Sequence, residues 1–407
     1  MATTKDSFKN HWNLNILIVL VLCLNLTPGA TQLEEFAFDW APYNPFSPNT
    51  IISGFTSSKC HSYLGKDSAE LTIYATQVCK SSSSLSYMHS QVDWNTDSSS
   101  YQYLATPSIT SGSKILHTSD GLFAIISSSS SSWTLTVKDI PTNTLKYTVS
   151  LSKPSGVSQW EFSQTKDYFV IFYQVATLSI SEYFYPIAKS TGAPKWSSAV
   201  LITPSFGLLS GISIETKMAM DYPGGKFFLA WESSYWGAVS IKTKIVGPSS
   251  TDTGVEATIA SSLSAFTVHE LHDVGMINSK EYVIYSTKEA LSADMPIKMW
   301  RKDLSSTPVL VNTGWVGIFP SKPYFKASYV TVGSTGSHLL LVYKTVTSST
   351  TKVWFRSFTD TGSGVGSAVV MSTNDIEVDG VVIDGSIVYF MMGPISNTWY
   401  IGWRNFF

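Results

Sequence analysis

One pattern recurs along this chain of 407 residues and restricts the folds that it can adopt. A compact apolar run is followed, after a polar turn, by a second run in which apolar and polar residues alternate. Tyr222–Gly254 shows it most clearly, since Phe227–Trp231 is typical of a strand buried on both faces and Val239–Val246 of a half-buried strand. No amphipathic helical pattern of ten or more residues occurs. The sequence therefore predicts an all-β chain.

Seven apolar runs of this kind recur at intervals of roughly 45–60 residues, which is the spacing of propeller blades. Each is followed by an alternating run, and turn-rich links separate the repeats. A four-stranded unit repeated at this period, without helices, favours radial packing of sheets around a channel, because each sheet buries its faces on its neighbours. The apolar runs are Leu71–Thr76, Leu122–Ile126, Phe169–Tyr173, Phe227–Trp231, Tyr282–Tyr285, Leu339–Tyr343 and Ile387–Met391.

The two ends of the chain complete each other in this interpretation. The last repeat ends at Phe407 on its third strand, one strand short. Either Phe36–Trp40 or Thr50–Phe55, near the N-terminus, can supply the missing strand and so remove an open sheet edge. The prediction is a β-propeller of seven four-stranded blades closed by an N-terminal strand. Because the first repeat is the least regular, six blades plus an N-terminal extension is the alternative.

A short motif adds a resemblance to a known family. Thr191–Trp196 reads TGAPKW and resembles the T-G-x-x-x-W ending of pyrroloquinoline-quinone-type propeller repeats. Thr142–Tyr147 is a looser copy, with Asn143 in place of Gly and Tyr147 in place of Trp. The resemblance implies a propeller in which Trp196 and Tyr147 dock against the neighbouring blade. It covers two blades and lacks the family's cofactor site, so it implies the fold and not a dehydrogenase activity.

The N-terminus predicts export. Basic residues precede the apolar run Leu14–Leu24, and small residues follow it at Thr27–Ala30. The run is shorter than the about 20 residues that a transmembrane helix needs. Residues 1–30 are therefore predicted to be a signal peptide, and residues 31–407 a single secreted propeller domain without a membrane span. A retained N-terminal anchor is the alternative.

An extracellular location sets the expectations for cysteine and serine. Cys23 leaves with the signal, whereas Cys60 and Cys79 remain as an even pair, which predicts a disulfide in an oxidising compartment. A reactive thiol beside His61 is the alternative. Serine and threonine runs such as Ser127–Ser132 are either O-glycosylation sites or flexible polar loops.

The charge of the chain excludes one class of partner. Charged residues make up 14% of the chain and the net charge is −2, whereas an average soluble domain is about 25% charged. No basic surface for nucleic acid or anionic lipid is indicated. No nucleic-acid partner is predicted.

Two short motifs contain residue types that bind metals. His269 and His272 stand at i and i+3, whereas a helical zinc motif needs i and i+4, and on a strand they would point to opposite faces. Asp375, Glu377 and Asp379 alternate as in the start of a calcium loop, although the closing acid is misplaced. Calcium is therefore the one candidate cofactor, and an edge strand charged to prevent pairing is the alternative.

No complete catalytic motif is present: the sequence has no nucleophile elbow, P-loop or dinucleotide fingerprint. Aromatic residues in the links can instead stack on a sugar or dock a partner protein. The candidates are Trp94, Tyr235, Trp236 and Trp315.

The function predicted from these observations is a secreted, non-catalytic β-propeller that acts as an extracellular structural or scaffold protein. Its N-terminal strand, with Phe36, Phe38 and Trp40, can close its own ring or complete the last blade of a neighbour, which would give head-to-tail self-association into a coat or filament. The alternatives are a propeller glycosidase or lyase and a lectin that binds glycans. Clustered Asp, Glu, His or Arg side chains in the channel would favour the enzyme, whereas a plugged or Ser/Thr-lined channel would favour the scaffold.

Overall fold

A computed structural model gives the fold. Side chains are described chiefly between residues 113 and 301. The residues that the structure describes are 39–43, 60–67, 72–80, 84–92, 109–110, 113–118, 121–139, 142, 144–177, 179–207, 212–235, 238–261, 267–277, 280–289, 297–301, 309–312, 325–332, 336–346, 351–359, 363–372, 377–384, 387–395 and 398–405.

Within these residues the chain forms 28 strands in seven four-stranded antiparallel sheets. Sheet I contains β2 (Cys60–Asp67), β3 (Thr72–Lys80), β4 (Ser84–Val92) and β5 (Ile109–Thr110). Sheet II contains β6 (Lys114–His117), β7 (Leu122–Ser128), β8 (Ser132–Asp139) and β9 (Leu145–Ser152). Sheet III contains β10 (Val157–Gln164), β11 (Tyr168–Ala176), β12 (Ser179–Ala188) and β13 (Val200–Gly207). Sheet IV contains β14 (Ile212–Tyr222), β15 (Lys226–Tyr235), β16 (Ala238–Val246) and β17 (Glu256–Ser261). Sheet V contains β18 (Thr267–Ile277), β19 (Lys280–Glu289), β20 (Ile297–Arg301) and β21 (Val309–Asn312). Sheet VI contains β22 (Phe325–Val332), β23 (Gly336–Val346), β24 (Thr351–Thr359) and β25 (Gly364–Ser372). Sheet VII contains β26 (Glu377–Asp384), β27 (Ile387–Ile395), β28 (Thr398–Asn405) and β1 (Asp39–Tyr43).

The secondary-structure class agrees with the sequence. No helix occurs among the described residues, so the prediction of an all-β chain of four-stranded units is confirmed. In the same part of the chain, no helix has the length and apolar character needed to cross a membrane.

The second strand of each sheet carries a predicted apolar run, and sheet IV shows why these runs lack alternation. Phe227 on β15 packs in a cluster with Phe172 of sheet III. The next residue, Phe228, packs in another cluster with Val283 of sheet V. Successive side chains of a strand point to opposite faces, so a sheet that is covered on both sides needs apolar residues at every position of its central strand. The prediction that Phe227–Trp231 is buried on both faces is confirmed.

The first strands of the sheets adjoin one another in chain order. Strands β2, β6, β10, β14, β18 and β22 each contact the first strand of the following sheet, and β26 contacts β2. Six sheets are meanders of four consecutive strands, whereas sheet VII takes its outermost strand from the other end of the chain.

Strand β1 pairs antiparallel with β28, with Asp39 opposite Trp403 and Tyr43 opposite Trp399. The described strand shares Asp39 and Trp40 with the predicted Phe36–Trp40 and ends later, at Tyr43. Of the three residues predicted for the assembly strand, Trp40 lies in β1, and Phe36 and Phe38 lie outside the described residues.

Two aromatic side chains join neighbouring sheets. The Tyr147 hydroxyl, from sheet II, donates to the Lys189 carbonyl at 2.8 Å, at the end of a strand of sheet III. Trp196, from sheet III, donates through Nε1 to the Pro248 carbonyl of sheet IV at 2.8 Å. Both docking contacts implied by the T-G-x-x-x-W resemblance are therefore present.

The backbone of sheet I brings the two remaining cysteines together. Cys60 on β2 lies directly opposite Cys79 on β3. Opposed residues of antiparallel strands have Cα atoms about 4.5–5.5 Å apart, which falls in the range that a disulfide spans. The disulfide itself stays a prediction.

The calcium candidates lie at the start of sheet VII. Glu377 and Asp379 are on β26, whose register with β27 shifts between Val378 and Gly380. Asp375 lies outside the described residues. Calcium binding here stays a prediction.

Candidate functional site

A cavity of about 730 Å³ lies where the first strands of sheets III, IV and V approach one another. Its walls are the end of β10 with the turn into β11, the segment Met218–Met220 of β14, and Asp273 with Val274 on β18. Lys189, which follows β12, adds a buried lysine to the lining. Ligand sites in proteins typically enclose about 300–1,000 Å³, so this cavity is large enough to hold a small molecule or a few residues of a polymer.

Charged groups of both signs face this cavity. Lys166 and Asp167 lie in the exposed turn between β10 and β11, and Asp273 lies on the opposite wall. The Tyr282 hydroxyl donates a hydrogen bond to Oδ2 of Asp273 at 3.3 Å. Together with Lys189, two carboxylates and two ammonium groups therefore line one cavity.

A partly buried acid, Asp221, accepts two hydrogen bonds from the wall that carries Asp167. The backbone amide of Asp167 donates to Oδ2 of Asp221 at 2.7 Å, and the Thr165 hydroxyl donates to Oδ1 of Asp221 at 2.8 Å. Burial raises the pKa of Asp221, and these hydrogen bonds oppose that rise. Since Asp221 ends β14, it ties the turn of sheet III to sheet IV and holds Asp167 in place.

A cluster of ionisable side chains continues the same walls toward the middle of the strands. Nζ of Lys217 on β14 lies 3.3 Å from Oε1 of Glu161 on β10 and 3.2 Å from Oε1 of Glu182 on β12. The Lys217 and Glu182 side chains are 7% and 1% exposed, whereas that of Glu161 is 47% exposed. Glu161 and Lys217 lie two residues before Ser163 and Ala219, which line the cavity, so each pair points to the same face of its strand.

Burial governs the ionisation of this cluster. It raises the pKa of Glu182 to about 7, although the neighbouring Lys217 favours the ionised form. Oε2 of Glu182 accepts no hydrogen bond from the described residues. Lys114 of sheet II donates to the Trp160 carbonyl at 2.5 Å, and burial lowers its pKa while Glu161 opposes that effect.

The Glu182→Gln variant should therefore be more stable relative to wild type at pH 8 than at pH 4. The folded pKa of Glu182 is about 7 and its ordinary value is 4.5, so the folded protein binds the proton more tightly than the unfolded chain does. Wild-type stability due to Glu182 is then fully present below pH 4.5 and is lost as the pH rises toward 7, by about 3 kcal/mol. The difference in unfolding free energy between the variant and wild type, measured in urea across this range, should change by that amount. Parallel curves would contradict the assignment.

The two histidines considered for zinc have separate partners on β19. Nδ1 of His269 is hydrogen-bonded to the Thr287 hydroxyl at 3.1 Å, and Nε2 of His272 to the Ser286 hydroxyl at 2.8 Å. Adjacent residues of a strand point to opposite faces, which agrees with the predicted divergence of the two rings. In the part of the chain that the structure describes, no three His, Cys, Asp or Glu side chains converge as metal ligands.

The sequence analysis did not select any residue of this site. Of the predicted aromatic candidates, Tyr235 ends β15 and is 56% exposed, and Trp94, Trp236 and Trp315 lie outside the described residues. The signal that could have found the cluster is a charged residue at a core-facing strand position: Glu182 alternates with the buried Phe184 on β12.

Comparisons with known proteins give no family. No protein-family model and no curated protein matches the chain. Three similar solved structures are of propeller-like enzymes. A prolyl endopeptidase has a TM-score of 0.49 and 12% identity over 86% of this chain and 49% of its own, so the chain spans about half of it. An ulvan lyase, a polysaccharide lyase, has a TM-score of 0.47 and 7% identity over 89% and 94%. Hydrazine synthase of Kuenenia stuttgartiensis has a TM-score of 0.47 and 11% identity over 88% and 98%.

These comparisons correct one prediction and leave another untested. The prediction that the chain has no enzymatic activity is contradicted, since the similar structures are of enzymes. Identities of this size assign none of those activities to this chain. The resemblance to pyrroloquinoline-quinone-type repeats stays a prediction, because no family model matches.

Proposed function

We propose that the seven sheets are the blades of a β-propeller whose first strands surround the channel and whose ring is closed by β1. The contacts between successive first strands, together with the contact of β26 with β2, support a circular order. The pairing of β1 with β28 supports closure between the two ends of the chain. This pairing covers the edge of β28 with a strand from the other end of the chain.

We further propose that the protein is an enzyme that cleaves a carbohydrate polymer, as a glycosidase or a lyase. The observation that carries this proposal is the set of acidic and basic side chains on the first strands and their turns, at one cavity of about 730 Å³. Ionisable side chains clustered at one cavity are expected of an enzyme rather than of a scaffold.

Asp167 and Asp273 are the proposed acid–base pair, because they lie on opposite walls of the cavity. In hydrolysis of a glycosidic bond, one carboxyl group protonates the leaving oxygen while the other acts on water or on the sugar. In elimination, one carboxylate removes a proton from the sugar and the other group protonates the leaving oxygen. Lys166 and Lys189 would bind hydroxyl or anionic groups of the sugar.

Replacing either proposed carboxylate should remove most of this activity. We expect Asp167→Asn and Asp273→Asn each to lower kcat about 10²- to 10⁴-fold on a polysaccharide that the wild type cleaves. New reducing ends would report both reactions, and ultraviolet absorbance of an unsaturated product would report the lyase alone. Glu256→Gln is the matched control, since it removes one carboxylate from a partly exposed ion pair with Lys242 elsewhere on sheet IV.

Two outcomes would reject this assignment. Full activity in both variants would rule out Asp167 and Asp273 as the acid–base pair. If the wild type cleaves no member of a panel of neutral, uronic and sulfated polysaccharides, the carbohydrate proposal fails.

We also propose that the protein is secreted after loss of residues 1–30, with Cys60 and Cys79 joined. The apolar run before Ala30 and the opposed positions of the two cysteines support this. N-terminal sequencing of the exported protein and a thiol count would test it: a start before residue 30, or two free thiols, would contradict it.

A further inference from the structure

We infer that Glu161 is a substrate-facing carboxylate at the inner end of the cavity and that Lys217 is its positioning residue, whose charge is shared with the buried Glu182. This inference rests on the proposed carbohydrate-cleaving function. It adds a third carboxylate to the site and couples it to a group that no substrate can touch.

The place of Glu161 in the sheet supports contact with a substrate. Its side chain is 47% exposed, unlike the other two members of the cluster. Ser163, two residues further along β10 on the same face, lines the cavity. Glu161 itself is not among the residues that line the cavity, but a polymer that extends past Ser163 along this face of β10 would meet Glu161 next.

Lys217 is buried and pairs with two carboxylates. Its side chain is 7% exposed, and Nζ lies within 3.3 Å of one carboxylate oxygen on each of β10 and β12. One ammonium group thus joins two strands of sheet III to β14 of sheet IV. Because Nζ of the buried Lys217 lies 3.3 Å from Oε1 of Glu161, Lys217 favours a position of that carboxylate on the side of β14.

The protonation state of Glu182 changes the interaction between Lys217 and Glu161. When Glu182 is neutral, the charge of Lys217 acts on Glu161 alone. When Glu182 ionises, two negative charges share one ammonium group. Glu161 raises the pKa of Glu182, after burial as the larger cause.

Few other charged groups face this cluster. Lys114 on β6 interacts electrostatically with Glu161 and Lys217. In the strand register, Gln174 on β11 and Thr203 on β13 lie opposite Glu182 and carry no charge. Lys244 on β16 donates to the carbonyl of Ile202, the neighbour of Thr203, at 2.8 Å. Among the residues that the structure describes, the charges near Glu182 therefore come from Lys217 and Glu161, with Lys114 and Lys244 further along the interface.

The kinetic test compares the pH dependence of KM in wild type and Glu182→Gln. We expect KM of the wild type to rise by about fivefold or more between pH 6 and pH 8, as Lys217 becomes shared, and the variant to lose this rise. Glu161→Gln should lower kcat/KM about tenfold or more at both pH values. Glu256→Gln, the exposed control, should follow the wild type. Coincident KM curves for wild type and Glu182→Gln, or an unchanged kcat/KM in Glu161→Gln, would overturn the inference.

A second readout needs no substrate and separates this inference from the proposed function. The protonated carboxyl group of Glu182 should give an infrared carbonyl band that disappears as the pH rises and is absent from Glu182→Gln. Glu161→Gln should lower the midpoint of this disappearance, because it removes a negative neighbour and frees Lys217 for Glu182. Lys217→Met should raise it. The Glu161→Gln variant retains Lys217. An unchanged midpoint in this variant would reject the coupling between Glu161 and Glu182, whether or not the protein cleaves a polysaccharide.

Discussion

Replacing Phe227 with alanine is expected to lower the free energy of unfolding by about 3–5 kcal/mol. Phe227 is fully buried between sheets III and IV. Its ring centroid lies 5.0 Å from that of Tyr168, 4.9 Å from Phe184 and 5.6 Å from Trp196, each in an edge-to-face arrangement. The truncation removes apolar burial and three ring contacts, and it leaves a cavity that side chains of two sheets cannot easily fill.

Chemical denaturation of the Phe227→Ala variant would measure this loss. Leu145→Ala is the control, because Leu145 is 59% exposed on β9 and its truncation should cost well under about 1 kcal/mol. A similar small cost at Phe227 would mean that the interface between sheets III and IV is not packed as described.

Gly192→Ala is expected to cost about 2–5 kcal/mol of stability, from two separate causes. Gly192 has φ of +74°, a conformation that costs an L-residue about 1–2 kcal/mol. A Cβ at this position would also lie 2.7 Å from Cε2 of Tyr147, whose hydroxyl is bonded to Lys189. Moving that ring would disturb the joint between sheets II and III, as overpacking does at a typical cost of about 1–3 kcal/mol.

Gly224→Ala separates the two causes. Gly224 has a similar φ of +78°, but a Cβ there would meet no atom within 4 Å. The excess cost of Gly192→Ala over Gly224→Ala, measured by urea unfolding, therefore reports the contact with Tyr147. Adding Tyr147→Ala should abolish that excess in a double-mutant cycle. Equal costs at the two glycines would show that Tyr147 moves aside freely.

These two predictions both test the packing between neighbouring sheets, at two different contacts. Phe227 holds neighbouring sheets together through its buried ring, and Tyr147 holds them through a glycine turn after a third strand. Each sheet has two faces to cover, so its stability depends on both neighbours. Because the Lys217 cluster also lies between sheets III and IV, loss of either joint should alter the candidate site as well.

The sequence-based prediction of the central strands succeeded because their burial is visible in the residue types of a short run. Phe227–Trp231 and its counterparts were identified because a strand covered on both sides has no polar positions. The bounds of the N-terminal strand were less exact, since Phe36–Trp40 was predicted and Asp39–Tyr43 pairs with β28. A single strand carries little information about the register that its distant partner imposes.

The prediction of a protein without enzymatic activity was wrong for a related reason. It relied on contiguous motifs, and none exists in this chain. Asp167 and Asp273, by contrast, stand more than one repeat apart and line the same cavity only because the turn after β10 and strand β18 both border it. A single sequence does not reveal which charged residues of different repeats converge.

The sequence by itself therefore determined the all-β class, the four-stranded repeat and the residues that form the cores between sheets, because burial on both faces leaves a direct mark on residue type. Only the tertiary structure decided which charged side chains share a cavity, which lysine holds which carboxylate and how far burial displaces a pKa. Those properties depend on distances and solvation between separate sheets, and the order of residues along a strand does not specify them.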